Sequence, residues 1–276
     1  MKNEIFDKII SDFHADFFYP KIGIELEFYL TKNNQQIADP NLIENFIAEL
    51  SVEAQKQKID LWKIEKEQGL GQIEIKTNPN INLDRLSFDI ELIKVISEDL
   101  ARKNNLKADF SPTPFFDDCS NALQINLTLL DKNHQNLFVK NGEEESQILL
   151  NSIAGILENI PQNLESFITS KTDISRFDLA RNKKLFNNKK YTSPVNLSWG
   201  YDNRSCAIRI VGNGENRRLE LRIADANISV RNAISKSLEM IKHGIAANLQ
   251  PSKPIYGNAF DEQYQDLIEI TKICNF

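Results

Sequence analysis

Lys21-Ile-Gly-Ile-Glu-Leu-Glu-Phe-Tyr-Leu30 sets Ile22, Ile24, Leu26, Phe28 and Leu30 on one parity and Glu25 and Glu27 on the other. Successive strand side chains point to opposite faces, so the segment predicts a half-buried strand with two carboxylates on its polar side. Like charges about 5–7 Å apart repel by roughly 3 kcal/mol at an effective dielectric near 20. A cation is therefore expected beside them.

Working outward, further segments follow the same rule. In 71–77, Ile73 and Ile75 face inward against Gln72, Glu74 and Lys76, with Glu67 just upstream in a glycine-bearing loop. In 122–130, Leu123, Ile125, Leu127 and Leu129 oppose Gln124, Asn126 and Thr128. Segment 205–211 sets Arg209 against Ile208 and Ile210, and 217–223 sets Arg218, Glu220 and Arg222 against Leu219, Leu221 and Ile223. A solvated outer face is the ordinary reading of any one such strand. Taken together, Glu25, Glu27, Glu67, Glu74 and Glu220 offer the oxygen donors that Mg²⁺ or Mn²⁺ prefers. Arginines beside them suit phosphate, whose oxygens match the guanidinium fork. Metal and phosphate together point to a nucleotide, with Lys76 and Thr128 read as ordinary surface residues.

Amphipathic periodicity predicts helices at 3–18, 40–58, 81–104, 145–170, 227–249 and 260–273, with starts at Asp39-Pro40 and Pro79-Asn80. The fold class is therefore α+β, and no linker divides the chain, so one domain over residues 1–276 is expected. The stretch 181–190, RNKKLFNNKK, reads as a polar basic loop, solvated or acting as a lid. Trp62 and Trp199 read as core packing, and His14, His134 and His243 as structural or solvated.

Composition narrows the function classes. The chain has 276 residues, 41% hydrophobic and 26% charged, enough for a sizeable core. No run nears the ~20 apolar residues of a membrane span, and the opening MKNEIFDK carries acids where a secretory leader would be basic. A cytoplasmic protein with no membrane partner is expected. Net charge −6 argues against a nucleic-acid surface. Cys119, Cys206 and Cys274 lack metal or disulfide spacing and read as reduced thiols.

In five ordered places the residues resemble the glutamine synthetase family. IELEF (24–28) resembles its E-x-E-F strand, and EQGLGQIE (67–74) its E-x-G-x-G-Q-x-E segment. FSPTP (110–114) followed by NALQIN (121–126) stands where the family has F-x-P-x-P and G-M-H-x-H. SPVNLSWGYDNRSCAIRI (193–210) and RLELRIAD (218–225) are similar to A-P-V-N-L-x-W-S-x-x-N-R-S-A-x-I-R-I and R-I-E-x-R-x-P-D. The resemblance spans roughly residues 20–250 and covers the catalytic domain. It leaves at most a short helix before the first strand, where family enzymes carry a β-grasp domain that completes a neighbouring subunit's site.

The resemblance implies a curved, mainly antiparallel sheet with a polar, metal- and nucleotide-binding face and helices on the other. It assigns Glu27, Glu67 and Glu74 to one divalent ion, and Glu25, Glu220 and Gln124 to a second. Arg209, Arg218 and Asn126 would meet the nucleotide phosphates, and Arg204 and Arg222 the phosphates or an acyl-phosphate. The implied reaction uses ATP and Mg²⁺ or Mn²⁺ to join a carboxylic acid such as glutamate to ammonia or an amine, and leaves room for a homo-oligomer.

Departures sit at defined positions. Gln124 and Asn126 replace two family histidines, which favours oxygen-loving Mg²⁺ over softer ions. DDCS (117–120) replaces a glycine-rich approach to that strand, weakening the basis for amino-acid recognition. Thr192 falls where the family has a glutamate that helps deprotonate ammonium, and either Arg176 or Arg181 takes the place of the substrate-binding arginine. Two readings follow: a ligase with an altered substrate, or a catalytically silent protein that binds metal, nucleotide or an amino acid in a regulatory role.

Overall fold

The computed structural model describes residues 4–169, 171–190 and 193–273, apart from the side chains of 171–173. Tyr191, Thr192 and Cys274 lie outside the described residues, so the reading of Thr192 and the state of Cys274 stay with the sequence.

Among the described residues, nine strands form one sheet: β1 Tyr19–Lys32, β2 Gln35–Gln36, β3 Leu61–Lys66, β4 Gln72–Thr77, β5 Lys107–Asp109, β6 Ala122–Leu130, β7 Trp199–Tyr201, β8 Ile208–Val211 and β9 Arg218–Asp225. Their order is β3-β4-β1-β6-β9-β8-β7, with β2 and β5 paired to β1, and every ladder is antiparallel except β7 with β8. The α+β class with a mainly antiparallel sheet is as expected. β1 is an interior strand, with β4 on one side and β6 on the other, and its alternation gives it an apolar face to bury.

Six α-helices among the described residues accompany the sheet: α1 Glu4–Ala15, α2 Pro40–Lys56, α3 Leu83–Lys103, α4 Gln147–Asn163, α5 Leu179–Asn187 and α6 Val230–Ala246. Short polar residues start them. Asp39 accepts from Asn41 N at 2.9 Å with Pro40 opening α2, Asn82 accepts from Arg85 N at 3.0 Å, and Asp178 from Arg181 N at 2.7 Å. The core joins Ile24, Leu26 and Phe28 of β1 to Ile125 and Leu127 of β6, Leu219 and Leu221 of β9, and Ile90, Ile153 and Ile234 from the helices. Each such side chain contributes about 1.5–3 kcal/mol on burial. α4 and α6 cross closely at Gly155 and Gly244, where a Cβ on Gly155 would lie 2.2 Å from Met240 O. Glycine is required there for backbone approach, not for backbone freedom.

The structure corrects four readings. The predicted helix at 260–273 is two short 3₁₀ turns, Glu262–Tyr264 and Ile270–Lys272. Ile270 N donates to Val195 O at 3.0 Å and Leu197 N to Ile268 O at 2.9 Å, so tertiary pairing takes the backbone groups a helix would use. The supposed basic loop 181–190 is mostly α5, with Arg181, Asn182 and Leu185 buried. Pro79-Asn80 starts no helix: Asn80 bridges Ile22, and α3 begins two residues beyond Ile81, after its cap Asn82. Trp199 is buried at 2% exposure, but Trp62 is 68% exposed, on β3 where the ladder to β4 shifts register. No strand was read at 61–66, so nothing in the sequence separated this tryptophan from the core.

Candidate active site

The face of the sheet away from the core carries the charged parity. Across the β1–β4 ladder Glu27 stands opposite Glu74, and Glu25 opposite Lys76. Across β1–β6 Glu25 faces Gln124; across β6–β9 Asn126 faces Glu220; across β8–β9 Arg209 faces Glu220. Glu25 and Glu220, 195 positions apart in sequence, thus come to line one cavity from strands separated only by β6. Glu25, Glu27, Glu67, Glu74, Gln124, Glu220, Arg204, Arg209, Arg218 and Arg222 all line one cavity of about 290 Å³. A larger adjoining cavity of about 950 Å³ shares Glu25, Trp62, Lys76 and Arg218 with it and adds Asn126.

A hydrogen-bond chain crosses the strands. Glu27 accepts from Ala122 N and Gln124 Nε2, both at 2.9 Å. Gln124 Oε1 accepts from Arg222 at 3.0 Å, and Glu220 accepts from Arg222 at 2.5 Å and Arg209 at 3.0 Å. Beside them, Asn126 donates to Glu25 at 3.0 Å and accepts from Arg218 Nε at 2.7 Å. Lys76 Nζ bridges Glu74 at 2.8 Å and Glu65 at 3.1 Å.

Electrostatics divides the acids. Burial, reinforced by the charge of Glu67, pushes Glu27 up to about 7. Burial together with Glu27 and Glu25 pushes Glu74 up to about 9, and burial raises Glu67 as well. Burial acts upward on Glu220 too, but Arg222 and Arg209 override it and hold that carboxyl below its ordinary value. The acids on the β1–β4 side are thus pushed towards their protonated forms, while Glu220 on the β8–β9 side is held charged by arginine.

Among the described residues, no group of three or more His, Cys, Asp or Glu side chains is already gathered as an ion would need. The carboxylates lean instead on Lys76, Gln124, Asn126, Arg209 and Arg222. In chemistry the donors still fit a hard divalent ion, since all are oxygens and the raised Glu27 and Glu74 would be relieved by a cation.

Both candidate substrate arginines are committed to structure. Arg176, 1% exposed, donates to the carbonyls of Arg222, Ile223 and Ala224 and to Asp225 at 2.8–3.1 Å. Arg181 donates to Phe116 O at 2.7 Å, Ser120 Oγ at 2.8 Å and Asp118 O. Asp118 in turn accepts from Leu70 N at 2.9 Å and Gln36 Nε2 at 2.6 Å. The 117–120 segment therefore clamps the Glu67 loop to α5. Lys76 and Trp62, a surface residue and a core residue by sequence, both line the site's cavities. The signal for Lys76 was its shared parity with Glu74; for Trp62 there was none.

With this geometry in place, comparison with known proteins is direct. The family described as glutamine synthetase, catalytic domain, matches residues 35–275. The chain belongs to the glutamine synthetase family. It is 26% identical over 286 aligned residues to type-1 glutamine synthetase 2 of Dictyostelium discoideum, covering 95% of this chain and 53% of that protein. It is 22% identical to gamma-glutamylputrescine synthetase PuuA of Escherichia coli strain K12, covering 89% of this chain and 55% of that one. The chain thus spans about half the length of these curated relatives. Among solved structures, one titled GmaS/ADP complex superposes with a TM-score of 0.78 at 20% identity, over 96% of this chain and 64% of that chain, a likeness of fold. No helix among the described residues is long and apolar enough to cross a membrane.

Proposed function

We propose that this chain, acting as one unit over residues 1–276, is an ATP- and Mg²⁺-dependent ligase that joins a carboxylic acid to an amine through an acyl-phosphate. The observation that carries this reading is the convergence of acids from β1, β4 and β9, and arginines from β8 and β9, on two adjoining cavities. Glu27, Glu67 and Glu74 would hold one divalent ion, and Glu25, Glu220 and Gln124 a second. Bound ions would supply positive charge that offsets the charge developing on a transferring phosphoryl group. Arg218, where the cavities meet, Asn126 in the larger cavity and Arg209 in the smaller orient the nucleotide phosphates. Arg222, buried, and Arg204, exposed on the wall of the smaller cavity, would stabilise the acyl-phosphate oxygens without a protein nucleophile. An altered acceptor is supported by the E. coli relative, whose name specifies gamma-glutamylputrescine synthesis.

A second reading, binding without turnover in a regulatory role, is favoured by one observation: Gln124 spends its side-chain donor on Glu27 and its acceptor on Arg222.

Phosphate release from ATP, assayed across a panel of carboxylic acids and amines including glutamate, ammonia and diamines, separates the two. Turnover that needs Mg²⁺ and is lost in Glu27→Gln supports the ligase. Mg²⁺-linked nucleotide binding without phosphate release supports the silent reading, and the absence of both overturns each.

A further inference from the structure

Lys76 lines both cavities, whereas Lys21 lines only the larger. It stands opposite Glu25 on the β1–β4 ladder, and its ammonium lies 2.8 Å from Glu74 and 3.1 Å from Glu65, 6.0 Å from the ring centre of Trp62. Its stem is largely enclosed, so the ammonium is delivered to the acids by a strand position and not by a free surface arm. On this flank two acids, Glu27 and Glu74, oppose each other two ladder positions away with no arginine among the described residues paired to Glu74, whereas on the far flank Glu220 is covered by Arg209 and Arg222.

We propose that Lys76 is a built-in counter-ion of the acidic strip, occupying the Glu74 flank and weakening divalent-cation binding there. An ammonium in contact with Glu74 takes up one of the carboxylate's acceptor positions and repels an incoming doubly charged ion at close range, so the two compete for the same oxygens. The consequence is a site in which one ion binds ahead of the other, the second having to displace Lys76 from Glu74. The inference rests on the metal assignment proposed above and adds to it a residue that sets affinity and stoichiometry.

Mn²⁺ titrated into the full chain, with bound and free ion followed by electron paramagnetic resonance and heats by calorimetry, tests it without turnover. Lys76→Gln is expected to bind Mn²⁺ about tenfold or more tightly at its weaker position, or to gain a position the wild type lacks. Lys76→Arg should stay like wild type, and so should Lys63→Gln, which removes a lysine bound to Glu65 at 2.5 Å but absent from both cavity walls. If Lys76→Gln does not fold, Lys76→Met, which keeps the stem beside Trp62, carries the same expectation. Equal affinity and stoichiometry in wild type and the neutral variants would overturn the role of Lys76 alone. No Mn²⁺ uptake in any of them overturns it together with the metal assignment.

Discussion

Gln124 and Glu27, on adjacent strands, meet at 2.9 Å, and the same amide accepts from Arg222 at 3.0 Å. One neutral side chain thereby links the acid-rich flank of the site to its arginine-rich flank. Replacing it by alanine deprives two buried charged groups of a partner each. Gln124→Ala is expected to lose about 1–3 kcal/mol of stability, read from urea unfolding. Gln124→His should shift ion preference towards softer metals such as Zn²⁺, read by competition between Zn²⁺ and Mg²⁺.

Glu27 and Glu74 make folding pH-dependent when no metal is added. Both carboxyls are raised by burial, to about 7 and about 9, from an ordinary value near 4.5. Between about pH 4.5 and 9 the folded chain keeps protons that the unfolded chain has released, so stability falls as pH rises through that window. Chemical denaturation at constant ionic strength should give a more stable protein at pH 6 than at pH 9. Glu74→Gln should flatten the dependence; an unchanged slope in that variant would contradict the assignment.

Arg176 holds the end of β9. It closes an ion pair to Asp225 at 3.1 Å with both groups inaccessible, and it fills three carbonyls besides. Arg176→Ala should cost about 3–5 kcal/mol. Arg176→Lys should also destabilise, because an ammonium cannot span the same four acceptors. Urea unfolding of both variants checks this, and near-wild-type stability of the lysine variant would show that the fork geometry is unimportant.

Trp62, 68% exposed where the two cavities meet, is the solvent-facing tryptophan of a chain whose other tryptophan, Trp199, is buried. A nucleotide base entering the larger cavity should change its emission by stacking or desolvation. Titration with ATP and Mg²⁺ is expected to shift or quench fluorescence in wild type and leave Trp62→Phe silent. A response retained in that variant would place the change at Trp199.

Alternation alone carried much of the site. Glu25 and Glu27, Gln124 and Asn126, and Arg218, Glu220 and Arg222 could each be assigned to a polar face because strand geometry has a period of two whatever the neighbours. Asp39-Pro40 marked a helix start for an equally local reason, a side-chain acceptor followed by a residue that needs no donor. These features depend on bonds and sterics within a few residues, which is why the chain itself determined them.

Pairing between distant segments did not depend on such local rules. That Lys76 comes to lie opposite Glu25, that 268–270 joins 195–197 instead of coiling into a helix, that α5 replaces a loop, and that Trp62 sits on a register shift all follow from which strands and turns came to lie side by side. Burial and hydrogen-bond partners for these residues come largely from other segments of the chain, so only the tertiary structure decided whether each charge is spent on a neighbour or left to meet a ligand.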